Sequence, residues 1–251
     1  MGTQIKICGI TSIEDVKIVN QCKPDYIGCV LYYPKSKRNI SPDLAKKLVI
    51  QLDSNIKKVA VAVSPTIQQI RDIKMLGFDY IQIHGGWDKE VISNSTMPII
   101  WAINMKNEQL DTNSKKLSDM IGKCENIPKL SKTFYEHLDI VIKSDRIYGV
   151  LFDSGTSGSG ETFLWNSICK AQKMVAKKGK KVFLAGGLKA ENVTRAIYIA
   201  APDVVDVSSG VEFENQPSRI GKDEKRVEDF IKAVRMKENG ICDGVLLDTN
   251  P

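Results

Sequence analysis

Five side chains that can carry a proton or bind a polar ligand stand at the ends of short apolar runs: Cys8, His84, Asp153, Asp206 and Ser208. Strand side chains alternate between faces. Ile5 and Ile7 therefore put Lys6 and Cys8 on the opposite face, and Ile81 and Ile83 do the same for Gln82 and His84. Gly149, Leu151 and Asp153 share one parity, as do Val204, Asp206 and Ser208. Each residue alone has a plain structural reading. A strand cysteine is a small buried hydrophobe, a lone histidine is more often structural, Asp153 before Ser154-Gly155 can open a turn, and Asp206 can be half of a core ion pair. Their convergence at strand ends is what points to a site.

A second set of residues handles anions. Leu184-Ala185-Gly186-Gly187-Leu188 and Val207-Ser208-Ser209-Gly210-Val211 are two glycine-rich segments, each following an apolar run. Glycines let a backbone approach a phosphate and leave its N–H groups uncovered, and serine hydroxyls add donors. Gly186, Gly187, Ser208, Ser209 and Gly210 are accordingly the expected phosphate-binding residues.

The elements that must position these groups follow from periodicity. Strands are predicted at Gln4–Ile10, Tyr26–Tyr33, Lys58–Val63, Tyr80–His84, Ile99–Ile103, Tyr148–Asp153, Val182–Ala185 and Val204–Ser208. Helices are predicted at Ser12–Cys22 with a Ser12–Asp15 capping box, from Ser41-Pro42 to Leu52, and at Thr66–Leu76 before Gly77. Further helices are predicted at Asp88–Ser95, Trp165–Lys178, Ala190–Ala200 and Lys222–Met236. Eight repeated βα units without hairpin turns imply a parallel sheet closed into a single (βα)8 barrel of α/β class spanning residues 1–251. Both glycine segments then follow the last two strands, where such barrels often hold phosphate. Residues 106–146 are read as an enlarged, irregular connection between the fifth and sixth strands, and 242–251 as a tail.

The chain has 251 residues, 42% hydrophobic and 26% charged, with a net charge of +6. The lysine excess is scattered, so no nucleic-acid footprint is expected. No apolar run is long enough for a membrane span, and the N-terminus reads straight into a strand with no signal sequence. The six cysteines form no C-x-x-C pair, and no metal-ligand cluster is seen. A cytosolic protein with reduced thiols follows.

The blocks KICGIT (Lys6–Thr11), YYPKSKRNISP (Tyr32–Pro42), QIHG (Gln82–Gly85), LFDS (Leu151–Ser154), GSGETFLW (Gly158–Trp165), LAGGLKAENV (Leu184–Val193), VDVSSGVE (Val205–Glu212) and GKD (Gly221–Asp223) occur in this order. In them the chain resembles the phosphoribosylanthranilate isomerases of tryptophan biosynthesis. The resemblance implies an Amadori rearrangement of N-(5-phosphoribosyl)anthranilate to the 1-amino-1-deoxyribulose 5-phosphate, without cofactor or metal, by a monomer or homodimer. It assigns Cys8 as general base and Asp153 as general acid. Arg38, His84 and Asp206 become substrate contacts, with Arg38 on the anthranilate side. A free thiol titrates near about 8.5 and a useful base nearer about 7, so Lys6 is expected to help lower Cys8. Asp153 must be held protonated by burial or a neighbouring carboxylate such as Asp206. Two features depart from the family pattern: the loop after Asp153 is short, and Leu164 stands where many members have Asp. Two other readings compete. A histidine-pathway isomerase would show Asp where Cys8 stands, and a binding-only barrel would need neither Cys8 nor Asp153.

Overall fold

The computed structural model describes residues 2–86, 88–105, 130–154, 165–214 and 220–236. Nine parallel strands form one sheet: β1 (Gln4–Cys8), β2 (Tyr26–Leu31), β3 (Asn39–Ile40), β4 (Lys57–Val63), β5 (Tyr80–His84), β6 (Ile99–Asn104), β7 (Ile147–Asp153), β8 (Lys181–Leu184) and β9 (Val204–Val207). Their order is β1-β9-β8-β7-β6-β5-β4-β2-β3, and an added β1–β2 pairing closes eight of them into a barrel. The two-residue β3 hangs on the end of β2 outside that ring, pairing Val30 with Asn39 and Leu31 with Ile40.

The helices are α1 (Ile13–Cys22), α2 (Pro42–Gln51), α3 (Ile67–Met75), α4 (Lys89–Ser93), α5 (Lys132–Lys143), α6 (Cys169–Lys177), α7 (Ala190–Ala200) and α8 (Glu224–Met236). Their starts are set by side-chain caps: Ser12, Ser41, Thr66, Asp88 and Ser131 each accept a backbone N–H of the first turn. The β-branched stretch of β4, KKVAVAV, is buried through its middle, as a strand covered on both faces requires.

The strand parity read from the sequence holds. Ile5, Ile7, Ile81 and Ile83 pack in the layer between sheet and helices. A separate cluster of Tyr26, Val59, Ile100, Ala102, Leu151, Phe183, Ala185 and Val204 fills the barrel interior.

Several local expectations change. Ser12 caps α1, yet Asp15 does not complete a capping box. Its carboxylate accepts instead from Thr11 N at 2.7 Å, Thr11 Oγ1 at 3.0 Å and Lys222 N at 2.7 Å. The supposedly irregular connection contains α5, an amphipathic barrel helix that buries Phe134, Leu138, Val141 and Ile142. Its remainder at 106–129 and the tail at 242–251 lie outside the described residues. Trp165–Ile168 is a 3-10 turn leading into α6, not α-helix. No described helix is long and apolar enough to cross a membrane.

Candidate active site

The parallel register of β1 and β9 sets Lys6 directly opposite Asp206. Both side chains point into the barrel and are buried, and Lys6 Nζ lies 2.7 Å from Asp206 Oδ2. Burial disfavours charge on each partner. For Lys6 that penalty is outweighed by Asp206 and Cys8, and the ammonium ends above its ordinary value. Burial raises the Asp206 carboxyl although Lys6 pulls it back. Asp206 Oδ1 is buried without a hydrogen-bond partner among the described residues.

Cys8 ends β1, half-buried. Burial pushes its thiol up, Lys6 pulls it down, Asp206 adds a further upward push, and Lys222 a weaker downward pull. The net direction is upward, which corrects the expectation of a lowered thiol. Lys6 has the anticipated sign, but desolvation is stronger.

Asp153 ends β7 at the parity of Leu151, half-buried and paired across the ladder with Asn104. Its charge is felt at Asp206. His84 ends β5, and its Nε2 lies 2.8 Å from Gln82 Nε2. Burial first, then the Lys6 charge, pushes the imidazole down to about 4. His84 is therefore neutral near neutral pH.

The two glycine segments adopt the tight geometry that their composition anticipates. Gly186 has φ +91°, and a Cβ there would lie 2.3 Å from Ser154 Oγ and 2.5 Å from Ser154 N, so only glycine fits. A Cβ on Gly210 would lie 2.0 Å from Leu188 O. The loops after β8 and β9 thus touch backbone to backbone. Asn192 holds the Gly-Gly turn from below. Its amide donates to Gly187 O at 2.9 Å and accepts from Lys189 N at 2.8 Å. Ser209 and Gly210 lie in a single 3-10 turn. Ser154 Oγ and Ser208 Oγ are buried without partners among the described residues, leaving two hydroxyls beside the loops.

Arg38 stands just before β3, which pins its loop to the end of β2. The loop is further tied by Asn39 Oδ1, which accepts from Tyr33 N at 2.7 Å. The guanidinium forks onto Glu212, with Nε on Oε1 and Nη2 on Oε2 at 3.0 Å. Lys222 Nζ, fully buried, donates to Glu212 Oε1 at 3.1 Å and to Ser208 O at 3.2 Å. Burial opposes ionisation of Glu212, but Arg38 and Lys222 overcome it and hold the carboxyl down at about 2. This ion network joins the Arg38 loop to the glycine rim.

The structure brings Cys8, Asp206, Arg38 and Ser208 together at one side of the mouth, and a Cβ on Gly9 would meet both Arg38 Cδ and Ser208 Oγ. Glu212, Lys222, Asn192 and Ser154 were not singled out from the sequence. All four sit inside motif blocks. The partners of Glu212 and Lys222 lie up to 207 residues away in the chain, where no local pattern reports them. The loop after Asp153, at 155–164, lies outside the described residues. Among the described residues no group of three or more His, Cys, Asp or Glu is placed to share a metal ion. A cavity of about 600 Å³ lies between α1 and the start of α8, lined by Asp15, Ile18 and Lys222 among others. It contains none of the rim groups above except Lys222, so the mouth is assigned by its chemistry.

The sequence profile of a family described as N-(5'phosphoribosyl)anthranilate (PRA) isomerase matches residues 5–121 and 109–233. An N-(5'-phosphoribosyl)anthranilate isomerase of Clostridium kluyveri is 36% identical over 234 residues, covering 92% of this chain and 98% of that protein. One of Streptococcus mutans is 35% identical, covering 93% and 99%. The solved phosphoribosyl anthranilate isomerase of Thermotoga maritima superimposes with a TM-score of 0.72 at 28% identity, covering 93% of this chain and 99% of that one. Another solved isomerase, in complex with reduced 1-(o-carboxyphenylamino)-1-deoxyribulose 5-phosphate, gives 0.69 at 26% identity, with the same coverage. Matched over nearly its whole length and built on the same barrel, the chain belongs to the N-(5'-phosphoribosyl)anthranilate isomerase family.

Proposed function

We propose that this chain catalyses the Amadori rearrangement of N-(5-phosphoribosyl)anthranilate to 1-(2-carboxyphenylamino)-1-deoxyribulose 5-phosphate, in tryptophan biosynthesis, with Cys8 as general base and Asp153 as general acid. The observation that carries the residue roles is the strand order. β9 and β8, whose loops form the glycine rim, lie between β1 with Cys8 and β7 with Asp153. A sugar anchored there by its phosphate reaches thiol and carboxyl on either side.

Asp153, protonated, gives its proton to the ribose ring oxygen. The C1–O bond breaks as the nitrogen lone pair forms the iminium. Cys8, as thiolate, removes the C2 proton and leaves an enol-amine. The thiol proton passes to C1 and the enol hydroxyl proton returns to the Asp153 carboxylate. Atoms and charge balance, and no electrons leave the substrate, so the chemistry calls for no redox cofactor. Gly186, Gly187, Ser208, Ser209 and Gly210 hold the phosphate. Asp206 offers its open Oδ1 to the anthranilate N–H, and His84 is a neutral contact. Two of the five N–H donors of Arg38 go to Glu212. The opposite edge of its guanidinium is the one offered to the anthranilate carboxylate. The enzyme acts in the cytosol as one barrel domain, as a monomer or homodimer. A solved relative from T. maritima is described as dimeric.

The test is direct. Purified protein given phosphoribosylanthranilate, without metal or cofactor, turns it over with loss of anthranilate-type fluorescence. Folded protein that leaves the substrate unchanged overturns the proposal.

A further inference from the structure

We propose that Lys6 is a positioning residue for the isomerisation, its ammonium stabilising the Cys8 sulfur as the thiolate that takes the C2 proton. The inference deepens the reading of Cys8 as base and rests on it.

Three observations support it. Lys6 precedes Cys8 by two residues on β1, so both side chains point into the barrel. Gly28 on β2 lies directly opposite Cys8. A Cβ on Gly28 would sit 2.8 Å from Cys8 Sγ and 3.2 Å from Lys6 Nζ. The missing side chain therefore leaves one small space on which sulfur and ammonium converge, and any larger residue would occupy it. Finally, Lys6 is fully buried and Asp206 keeps it charged. An ammonium withheld from water is costly unless paired, and a lysine needed only to balance Asp206 would not have to approach the thiol.

The charged and titratable groups facing Cys8 come from every element around it. They are Lys6 on β1, Asp206 on β9, Lys222 ahead of α8 and Arg38 ahead of β3, while Cys29 on β2 lies in the layer between sheet and helices and feels the same thiol. Burial pushes the thiol up, and among the charges Lys6 acts most strongly, ahead of Asp206 and Lys222. Replacing Lys6 by a neutral residue therefore moves the thiol further up.

Alkylation of Cys8 by iodoacetamide in substrate-free enzyme, followed by mass spectrometry of the Cys8 peptide from neutral to alkaline pH, reads this directly. In Lys6→Met the alkaline limb moves to higher pH, and the rate at neutral pH falls about tenfold for every pH unit the limb moves. Lys6→Met leaves Asp206 buried and unpaired, so Lys6→Met/Asp206→Asn is measured in parallel. Its limb also moves up, because the pull of Lys6 exceeds the push of Asp206. A profile that superimposes on the wild type, in whichever of these variants is folded, overturns the role of Lys6. Turnover by Cys8→Ser tests the base assignment separately, since alkylation reports the thiol whether or not it is the base.

Discussion

At the N-terminal end of the barrel, Tyr26, Tyr80 and Tyr148 come from the first two residues of their strands and form with Phe183 a cluster of edge-on and tilted rings at centroid distances of 4.5–6.4 Å. Their polar tips are partnered. The Tyr26 and Tyr148 hydroxyls lie 2.9 Å apart, and Lys57 Nζ donates to Tyr26 at 3.3 Å while covering its ring. At the opposite end the same barrel carries Cys8, His84, Asp153 and Asp206, and three buried oxygens there, on Ser154, Asp206 and Ser208, have no partner among the described residues. One end satisfies its polar groups and fills its space. The other keeps charges out of water and leaves acceptors and hydroxyls open, an arrangement that lowers stability and suits a ligand. The difference teaches where substitutions should change rate and where they should change only folding.

The largest effect that could break this contrast is at the open end. Cys8→Ser and Asp153→Asn are each expected to lower kcat on the order of 10²–10⁴-fold, with little change in binding of a product analogue or in thermal midpoint. Near-normal turnover in either variant removes that residue from the chemistry. Next comes Phe183→Ala at the closed end, expected to destabilise by about 3–5 kcal/mol in a urea titration. A loss below about 1 kcal/mol would mean that the aromatic plug is not what seals the barrel.

The pH dependence of stability sharpens the same contrast. His84 is held neutral, with its folded value near 4 against the ordinary 6.5. The unfolded chain then binds the extra proton first. Stability is fully present above about 6.5 and is lost as pH falls toward about 4, by at most a few kcal/mol. Glu212, near 2 against 4.5, adds a further loss below about 4.5. His84→Gln should flatten the upper part of this acid limb in pH-dependent thermal melts, and an unchanged slope there would exclude His84 as its source. The smallest effect is Tyr26→Phe, about 1 kcal/mol of stability with unaltered kcat/KM. A change in turnover would show that the closed end communicates with the open one.

Much of this is legible in the sequence because strand parity and glycine placement are local. Ile5 and Ile7 dictate where Lys6 and Cys8 point, and the Gly-Gly and Ser-Ser-Gly segments mark both rim loops. The hidden parts are those fixed by strand neighbours far apart in the chain. Lys6 and Asp206 share a parity that the sequence does reveal, but only the β1–β9 register makes them a pair. Glu212 reads as the end of a motif until Arg38 and Lys222 close on it. β3 is two residues long, too short for periodicity to register. The upward direction at Cys8 escapes the sequence because a nearby lysine is visible there whereas the extent of desolvation is not.

Gly186 rests on Ser154, the residue after Asp153, closely enough to exclude a methyl group. On the proposed assignment, the handle for the phosphate and the proton donor are therefore in close contact through Ser154. A substrate lacking its phosphate would forfeit more than an anchor. Part of the binding energy that aligns the proposed acid with the ring oxygen would be absent at the transition state. The distant, unreacting end of the molecule is thereby written into the rate of the reaction as well as into its affinity.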